Sequence, residues 1–350
     1  MIFHLSRYGY ADYAAGLIDH LPIEDGLIYL SKYHSVPISK AFQTITTYRN
    51  GFEFLLSSLF LLPGFLRKIH REIRKQQVGV AYFPGFHYWD LPLIWVCKWG
   101  KVAVVYTVHD GILHEGENHW SHRWLQKASI RAADHLIFLT RYMREETLKS
   151  WKNAPPSSII AHGPIQLPGL STLHRHSPNL KLLFLGRIGQ YKGIKLLLNA
   201  LEVAENDIWE HLTIAGQPLY DFKKPDHPKI NLIGRWLSEG EMVSLLHEHD
   251  LLILPYQSAT QSGVVALGIA AAIPMICTKV GGLPEQLAEN EAVWAAPNST
   301  DILEAIRFLS KNPAAYDAIH QQLLKKRENV SWHPLAQKTA SILSSYLSRQ

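Results

Sequence analysis

Two cations five positions apart, Arg187 and Lys192, stand in the run Leu-Leu-Phe-Leu-Gly-Arg-Ile-Gly-Gln-Tyr-Lys-Gly at residues 182–193. Phe184 and Leu185 read as the end of a buried strand. Gly186, Gly189 and Gly193 let the backbone turn and come close to a ligand. Cations fixed at the carboxyl end of a strand in an open α/β sheet suit an anionic leaving group such as a diphosphate. A strand-to-helix turn with solvated charges would use the same residues, so the surrounding elements must decide. A second constellation is His109 with Asp110, delivered by the apolar run Val102–Thr107, and a loop holding His114, Glu115, His119 and His122. These groups suit a metal or a polyol. Neither histidine pattern matches a zinc spacing with its remaining ligands, so a metal is the weaker of the two readings. His247-Glu248-His249-Asp250 reads as solvated residues at a helix end.

The elements that would position Arg187 and Lys192 follow in regular order. Residues 194–201 have the apolar density of a buried helix. Short apolar strands are predicted at Leu212–Ala215, Ile230–Ile233, Leu251–Leu254, Pro274–Thr278 and Ala292–Trp294, with helix-length segments between. Such alternation implies a parallel α/β sheet with right-handed crossovers. The N-terminal half reads as α/β too. Ile2–Leu5 is a strand, residues 7–12 a turn and Tyr13–Leu21 a helix. Val78–Phe83 is another strand, leading to the aromatic loop Pro84-Gly85-Phe86-His87-Tyr88-Trp89-Asp90. The rings of that loop are suited either to stacking on a sugar or to closing the edge of a core.

Five segments in order, Gly-Arg-Ile…Lys-Gly (186–193), Ile-Ala-Gly-Gln (214–217), Asp-Leu-Leu-Ile-Leu-Pro-Tyr (250–256), Gln-Ser-Gly (261–263) and Gly-Gly-Leu-Pro-Glu (281–285), resemble retaining nucleotide-sugar glycosyltransferases of family 4, which have the GT-B fold. Thr107-Val108-His109-Asp110 is similar to the family's N-domain histidine segment, and Ser331-Trp332 to the start of its closing helix. The resemblance implies two Rossmann-like domains facing across a cleft, an N-terminal acceptor domain (1–165) and a C-terminal nucleotide-sugar domain (166–330). A last helix (331–350) would pack back toward the first.

It further implies a nucleotide sugar as substrate, no cofactor and no metal. Arg187 and Lys192 would hold the departing diphosphate, with the backbone N–H groups of Ser262 and Gly263 adding a helix N-terminus. His109 would act at the transferred sugar, where the acceptor hydroxyl attacks from the leaving-group side with retention. Gly186, Gly216, Gln217, Arg235, Trp236, Thr260, Gln261 and Glu285 complete the expected donor site. Gly9, His87, Asp110 and His114 form the expected acceptor site. Trp236 reads either as a base-stacking ring or as a packed core residue. The family's two glutamates eight positions apart are absent: Ala259-Thr260-Gln261-Ser262-Gly263 occupies the first site, and Leu267 or Gly268 the second. Glu285 is then the candidate for the ribose, or simply a helix N-terminal acid.

Length and composition agree with two α/β domains: 350 residues, 47% of them hydrophobic. Cys97 and Cys277 lie in apolar segments of different halves and read as reduced, buried thiols. No leader is visible before the polar residues that follow Leu5, which predicts a cytoplasmic protein. Residues 1–165 hold 18 Lys/Arg against 13 Asp/Glu and the remainder 17 of each, so the net charge of +5 falls in the first half. Part of it lies in a basic amphipathic helix with Arg67, Lys68, Arg71, Arg74 and Lys75, behind an apolar run at 52–66 too short to span a bilayer. That segment reads either as peripheral attachment to an anionic membrane or as a surface helix packed on its own domain. A sequence pI near 9.0 raises nucleic acid as a partner, but no nucleic-acid module is recognisable and the cations concentrate in one helix.

The predicted function is sugar transfer from a nucleotide sugar to a glycan or lipid-linked sugar, in cell-surface polysaccharide synthesis. A GT-B-like sugar-nucleotide epimerase and a non-catalytic nucleotide-sugar or membrane-binding module are the alternatives.

Overall fold

The computed structural model describes residues 1–5, 9–23, 26–33, 36, 38–109, 120–149, 151–205 and 207–348, apart from the side chains of Gly9 and Trp120. These divide into two units, residues 1–109, 120–163 and 331–348 in the first and 164–330 in the second.

Strands covered on both faces need near-continuous apolar runs, and the first unit builds its sheet from short ones. β1 (Ile2–His4), β2 (Ile28–Ser31), β3 (Gln43–Ile45), β4 (Val80–Phe83), β5 (Ala103–Val108), β6 (His135–Phe138) and β7 (Ser157–Ile159) pair in parallel in the order β3-β2-β1-β4-β5-β6-β7. Between them run α1 (Gly9–His20), α2 (Gly51–Phe60), α3 (Leu62–Gln76), α4 (Asp90–Trp99), α5 (Trp120–Ala132) and α6 (Arg141–Leu148). Helix α1 begins at Gly9, so residues 10–12, expected in a turn, are already helical. The apolar run at 52–66 is divided between α2 and α3. Asn50 caps the first through Glu53 N–H, and Pro63 sits in the first turn of the second, where a missing N–H costs no hydrogen bond.

Helix α3 is amphipathic, burying Phe65, Ile69 and Ile73 and exposing Arg67, Arg71, Arg74 and Lys75. Lys68 corrects the sequence grouping. Its ammonium turns inward, donates to Gln43 Oε1 at 2.6 Å and lies 5.4 Å over the Tyr29 ring, because its position is rotated toward the sheet. Among the described residues no helix is long and apolar enough to cross a membrane.

The second unit has the sheet order β10-β9-β8-β11-β12-β13, all parallel. Its strands are β8 (Leu180–Leu185), β9 (Trp209–Ala215), β10 (Ile230–Ile233), β11 (Leu251–Leu254), β12 (Met275–Thr278) and β13 (Val293–Ala295). Helices α7 (Ile194–Glu202), α8 (Glu239–Glu248), α9 (Gly263–Ala271), α10 (Leu283–Gln286), α11 (Ser299–Lys311) and α12 (Pro313–Asn329) cover it. The order reverses between β8 and β11, the kind of switch point where α/β sheets bind ligands. His249 and Asp250 are not the solvated helix-end pair expected. His249 is buried between Leu245 O (2.7 Å) and Thr213 Oγ1 (2.8 Å), and Asp250 accepts the Lys181 N–H at 2.8 Å where β8 and β11 begin.

The chain then returns to the first unit as α13 (Trp332–Leu347), capped by Ser331, which accepts from His333 N–H. It packs along α1, and Trp332 enters a slot that Gly16 and Gly163 leave open. Both cysteines are buried and free, and burial pushes the Cys97 thiol up to about 12.

Candidate active site

Strand β8 ends at Leu185 and hands the chain to a turn that bends back beneath β11. Gly193 makes this possible. Its φ is +68°, and a Cβ there would stand 1.8 Å from the Pro255 carbonyl oxygen. Gly216, at the end of β9, has φ +145° and would place a Cβ 2.0 Å from the Gly186 carbonyl oxygen. The two turns therefore touch backbone to backbone, which only residues without side chains permit.

The first of these turns, between Gly186 and Gly193, carries both Arg187 and Lys192. Lys192 closes a short 3-10 turn (Gln190–Lys192), and its Nζ lies 3.7 Å from the centre of the Tyr256 ring and 5.3 Å from that of Tyr191. Tyr256 is buried, and burial pushes its phenol well above the usual range while the positive charge of Arg187 acts against that rise. Lys192 is thus held against a tyrosine that is fixed in turn by Thr278 Oγ1, which donates to the Tyr256 carbonyl at 2.6 Å. A cation over an aromatic face gains about 0.5–2 kcal/mol and keeps its charge.

The Tyr256 hydroxyl lies 3.2 Å from Ser262 Oγ, at the mouth of α9. Here the structure corrects an expectation. The Ser262 N–H is not open to a phosphate: it donates to Gln286 Oε1 at 2.7 Å, and Gln286 Nε2 donates back to the Ser262 carbonyl at 3.1 Å. Gly263 opens α9 with clear space where a side chain would stand, and Ser262 caps none of the helix's N–H groups. Thr260 is buried beside it. Gln261 Oε1 is buried and accepts no hydrogen bond among the described residues. Where the family pattern has its second glutamate, Leu267 and Gly268 are both buried in α9, and Met275 Sδ would lie 2.4 Å from a Cβ on Gly268.

The remaining donor candidates are more dispersed. Gln217 follows Gly216, and its carbonyl accepts the Ile188 N–H at 2.9 Å. Arg235 is exposed and pairs with Glu241, which also closes a capping box with Ser238 at the start of α8; the guanidinium and Ser238 together hold the Glu241 carboxyl down at about 2. Trp236 is 53% exposed, so it is not a core residue. Glu285 is exposed on the single turn of α10, next to Gln286. The sequence gives neither Tyr256 nor Gln286 a role, although Tyr256 ends the 250–256 segment and Gln286 follows the one at 281–285. Their roles come from side-chain contacts that no local spacing encodes.

In the first unit, β5 delivers His109 to its carboxyl end. The ring is 4% exposed; its Nε2 lies 2.8 Å from the Pro84 carbonyl, and the rings of Tyr10 and Tyr13 stand 4.7 and 4.6 Å away. Gly9 is the first residue of α1. Asp110 and His114 lie outside the described residues. His87, expected to contact the acceptor, is 2% exposed and turned inward against Tyr48, its Nδ1 accepting the Trp89 N–H at 3.2 Å. The aromatic loop is core edge here, since Phe86 and Trp89 are buried as well. Among the described residues no three His, Cys, Asp or Glu side chains gather as a metal site would require.

The same loop buries a carboxyl. Asp90 accepts the His87 N–H at 2.7 Å and the Tyr106 hydroxyl at 3.1 Å, and burial pushes its pKa well above the usual carboxylate range. Between the unfolded value near 4 and the raised folded value, the unfolded chain has released a proton that the native one retains, so stability falls as pH rises. Asp90→Asn is expected to remove that slope. Urea denaturation should find the variant at least as stable as wild type at pH 7, with the difference shrinking toward pH 4. A wild type that gains stability over this window would exclude a neutral Asp90.

Residues 33–163 match the family model described as Glycosyltransferase Family 4, and residues 179–312 the one described as Glycosyl transferases group 1. The chain is 26% identical over 278 residues to glycogen synthase of Mycobacterium tuberculosis, covering 72% of this chain and 65% of that one. It is 22% identical over 251 residues to an uncharacterized 41.2 kDa protein in the cps region of Klebsiella pneumoniae, covering 67% and 68%. It thus spans about two thirds of the length of these curated relatives. Among solved structures, HepE of Anabaena in complex with UDP and glucose superposes with a TM-score of 0.71 at 15% identity, over 98% of this chain and 99% of that one. Two successive glycosyltransferase domains, each on its own parallel α/β sheet and ordered as in solved proteins of that architecture, make this chain a member of the GT-B glycosyltransferases.

Proposed function

We propose that the chain moves a sugar, with retention and without a metal ion, from a nucleotide sugar to a glycan or lipid-linked sugar in cell-surface polysaccharide synthesis on the cytoplasmic side of a membrane. The observation that carries this reading is Lys192 seated over Tyr256, whose hydroxyl meets Ser262 at the start of α9, with Arg187 on the same glycine turn. Cleavage of the anomeric bond leaves negative charge on the diphosphate and an oxocarbenium-like sugar. Cations and a helix N-terminus already in place there stabilise that charge more in the transition state than in the ground state. Gly263 contributes the helix N-terminus, since Ser262 N–H is occupied. Thr260 and the buried Gln261 Oε1 offer neutral hydrogen bonds to sugar hydroxyls in place of the family's glutamate. Trp236, Gln217 and Gly216 are the candidates for the base, and Glu285 for the ribose. His109, oriented by the Pro84 carbonyl, would work at the transferred sugar.

The test is a thermal-shift screen of nucleoside diphosphates and their sugars. UDP and UDP-glucose come first, because a protein of similar fold was solved with UDP and glucose. A ligand present at 100 times its Kd adds about 2.7 kcal/mol of stability. One member of the series should raise Tm in this way; no shift with any of them would defeat the proposal. Nucleotide release that depends on an added acceptor marks a transferase, whereas a GT-B-like epimerase would return an epimeric nucleotide sugar and need no acceptor.

A further inference from the structure

Helix α2 presents an open apolar face. Phe52, Leu55, Leu56, Leu59 and Phe60 fall within an arc of about 140° on a helix that turns 100° per residue, and they are between 43% and 72% exposed. The other side of the helix is tied down. Ser57 Oγ donates to the Thr47 carbonyl at 2.8 Å, Trp89 Nε1 donates to Ser58 Oγ at 2.9 Å, and the Phe54 ring stands 4.9 Å from that of Tyr48. A fixed helix therefore holds five large apolar side chains in water, far more than scattered surface residues explain.

Helix α3 follows directly and exposes Arg67, Arg71, Arg74 and Lys75, none of them in an ion pair with a carboxylate among the described residues. His70 of α3 stacks on Trp99 of α4 at 4.9 Å, and both Trp95 and Trp99 are exposed. Right-handed crossovers put α3 and α4 on the same side of the sheet. Exposed aliphatic, cationic and indole groups on three successive, mutually packed helices are the composition of a protein region that lies in lipid headgroups.

We propose that the first unit docks on an anionic lipid bilayer through this surface. The α2 face enters the boundary between headgroups and acyl chains, and the α3 cations take lipid phosphates. A two-fold contact between copies of the chain through the same surface would bring its unneutralised cations together, whereas an acidic bilayer neutralises them. Docking would bring the loop at 84–90 close to the membrane, because α2 is bonded to Trp89 and the Pro84 carbonyl holds His109. Only this last consequence, that the acceptor is lipid-borne, rests on the transferase reading.

The full chain is tested by flotation with vesicles of phosphatidylcholine alone and of phosphatidylcholine with phosphatidylglycerol. It should float with the anionic vesicles, less with the neutral ones, and less as salt rises. Leu55→Ser/Leu59→Ser and Arg71→Glu/Arg74→Glu should each weaken binding at least about tenfold, with Tm and its response to nucleoside diphosphates unchanged. A wild type that stays unbound to anionic vesicles, or a serine variant that floats equally well, overturns the proposal. So does a lipid-free dimer that the serine variant dissociates, which would assign the face to a second copy. Flotation without any nucleoside-diphosphate response would sink the donor site and leave the docking intact, and the reverse result would sink the docking alone.

Discussion

Arg187→Ala is expected to lower turnover about 100- to 1000-fold, the loss seen when one preorganised charge contact to a developing anion, equivalent to about 2.7–4 kcal/mol, is removed. The change deletes a half-buried guanidinium from a turn whose course is set by Gly186, Gly193 and Gly216, so the fold should survive it. Nucleoside-diphosphate affinity should fall less than turnover, because the full charge develops only as the sugar departs. His109→Ala makes the contrast: it should impair transfer and still bind the nucleotide. Steady-state rates beside thermal shifts separate the two variants, and unchanged transfer by Arg187→Ala would remove the proposed leaving-group mechanism.

For Trp332→Ala the expected loss is one of stability, about 3–5 kcal/mol for a large aromatic taken out of a core. Trp332 is 5% exposed and packs edge-on to Tyr13 with ring centres 5.5 Å apart. A Cβ on Gly16 would stand 2.4 Å from its indole, and one on Gly163 also 2.4 Å. The slot is therefore shaped by two glycines for this side chain, and rigid backbone on both sides leaves little scope for collapse. Urea denaturation should show the first unit unfolding at lower denaturant while the nucleoside-diphosphate response of the second is kept. A loss below about 1 kcal/mol would mean that α13 is held elsewhere.

How much of this was legible in the sequence depended on the signals that flank each apolar run. The second unit's strands are flanked by glycine turns or helix-length segments, and β10 and β11 have the predicted limits. In the first unit β2, β3, β6 and β7 were not anticipated. They are three or four residues long, and the outer pair, Gln43–Ile45 and Ser157–Ile159, carries polar side chains where an edge strand meets water. Placement was legible where a residue's position follows from its own strand and turn, as with Arg187 and Lys192 after β8. It was not legible where the outcome depended on a distant partner. Gln286 takes the Ser262 N–H from 24 positions away, and Gln43 draws Lys68 off the cationic face from 25. Tyr48 likewise packs on His87 from a segment with no motif of its own.

The return of α13 to the first sheet also governs the order in which the chain can mature. Residues 164–330 are contiguous and can complete their sheet as soon as they leave the ribosome. The first unit cannot, although its strands are made earlier: Tyr13 and the slot at Gly16 stay uncovered until Trp332 emerges. Residues made after the second unit are thus the ones that finish the first, and a nascent chain stopped before them would carry an open hydrophobic seam for chaperones to shield.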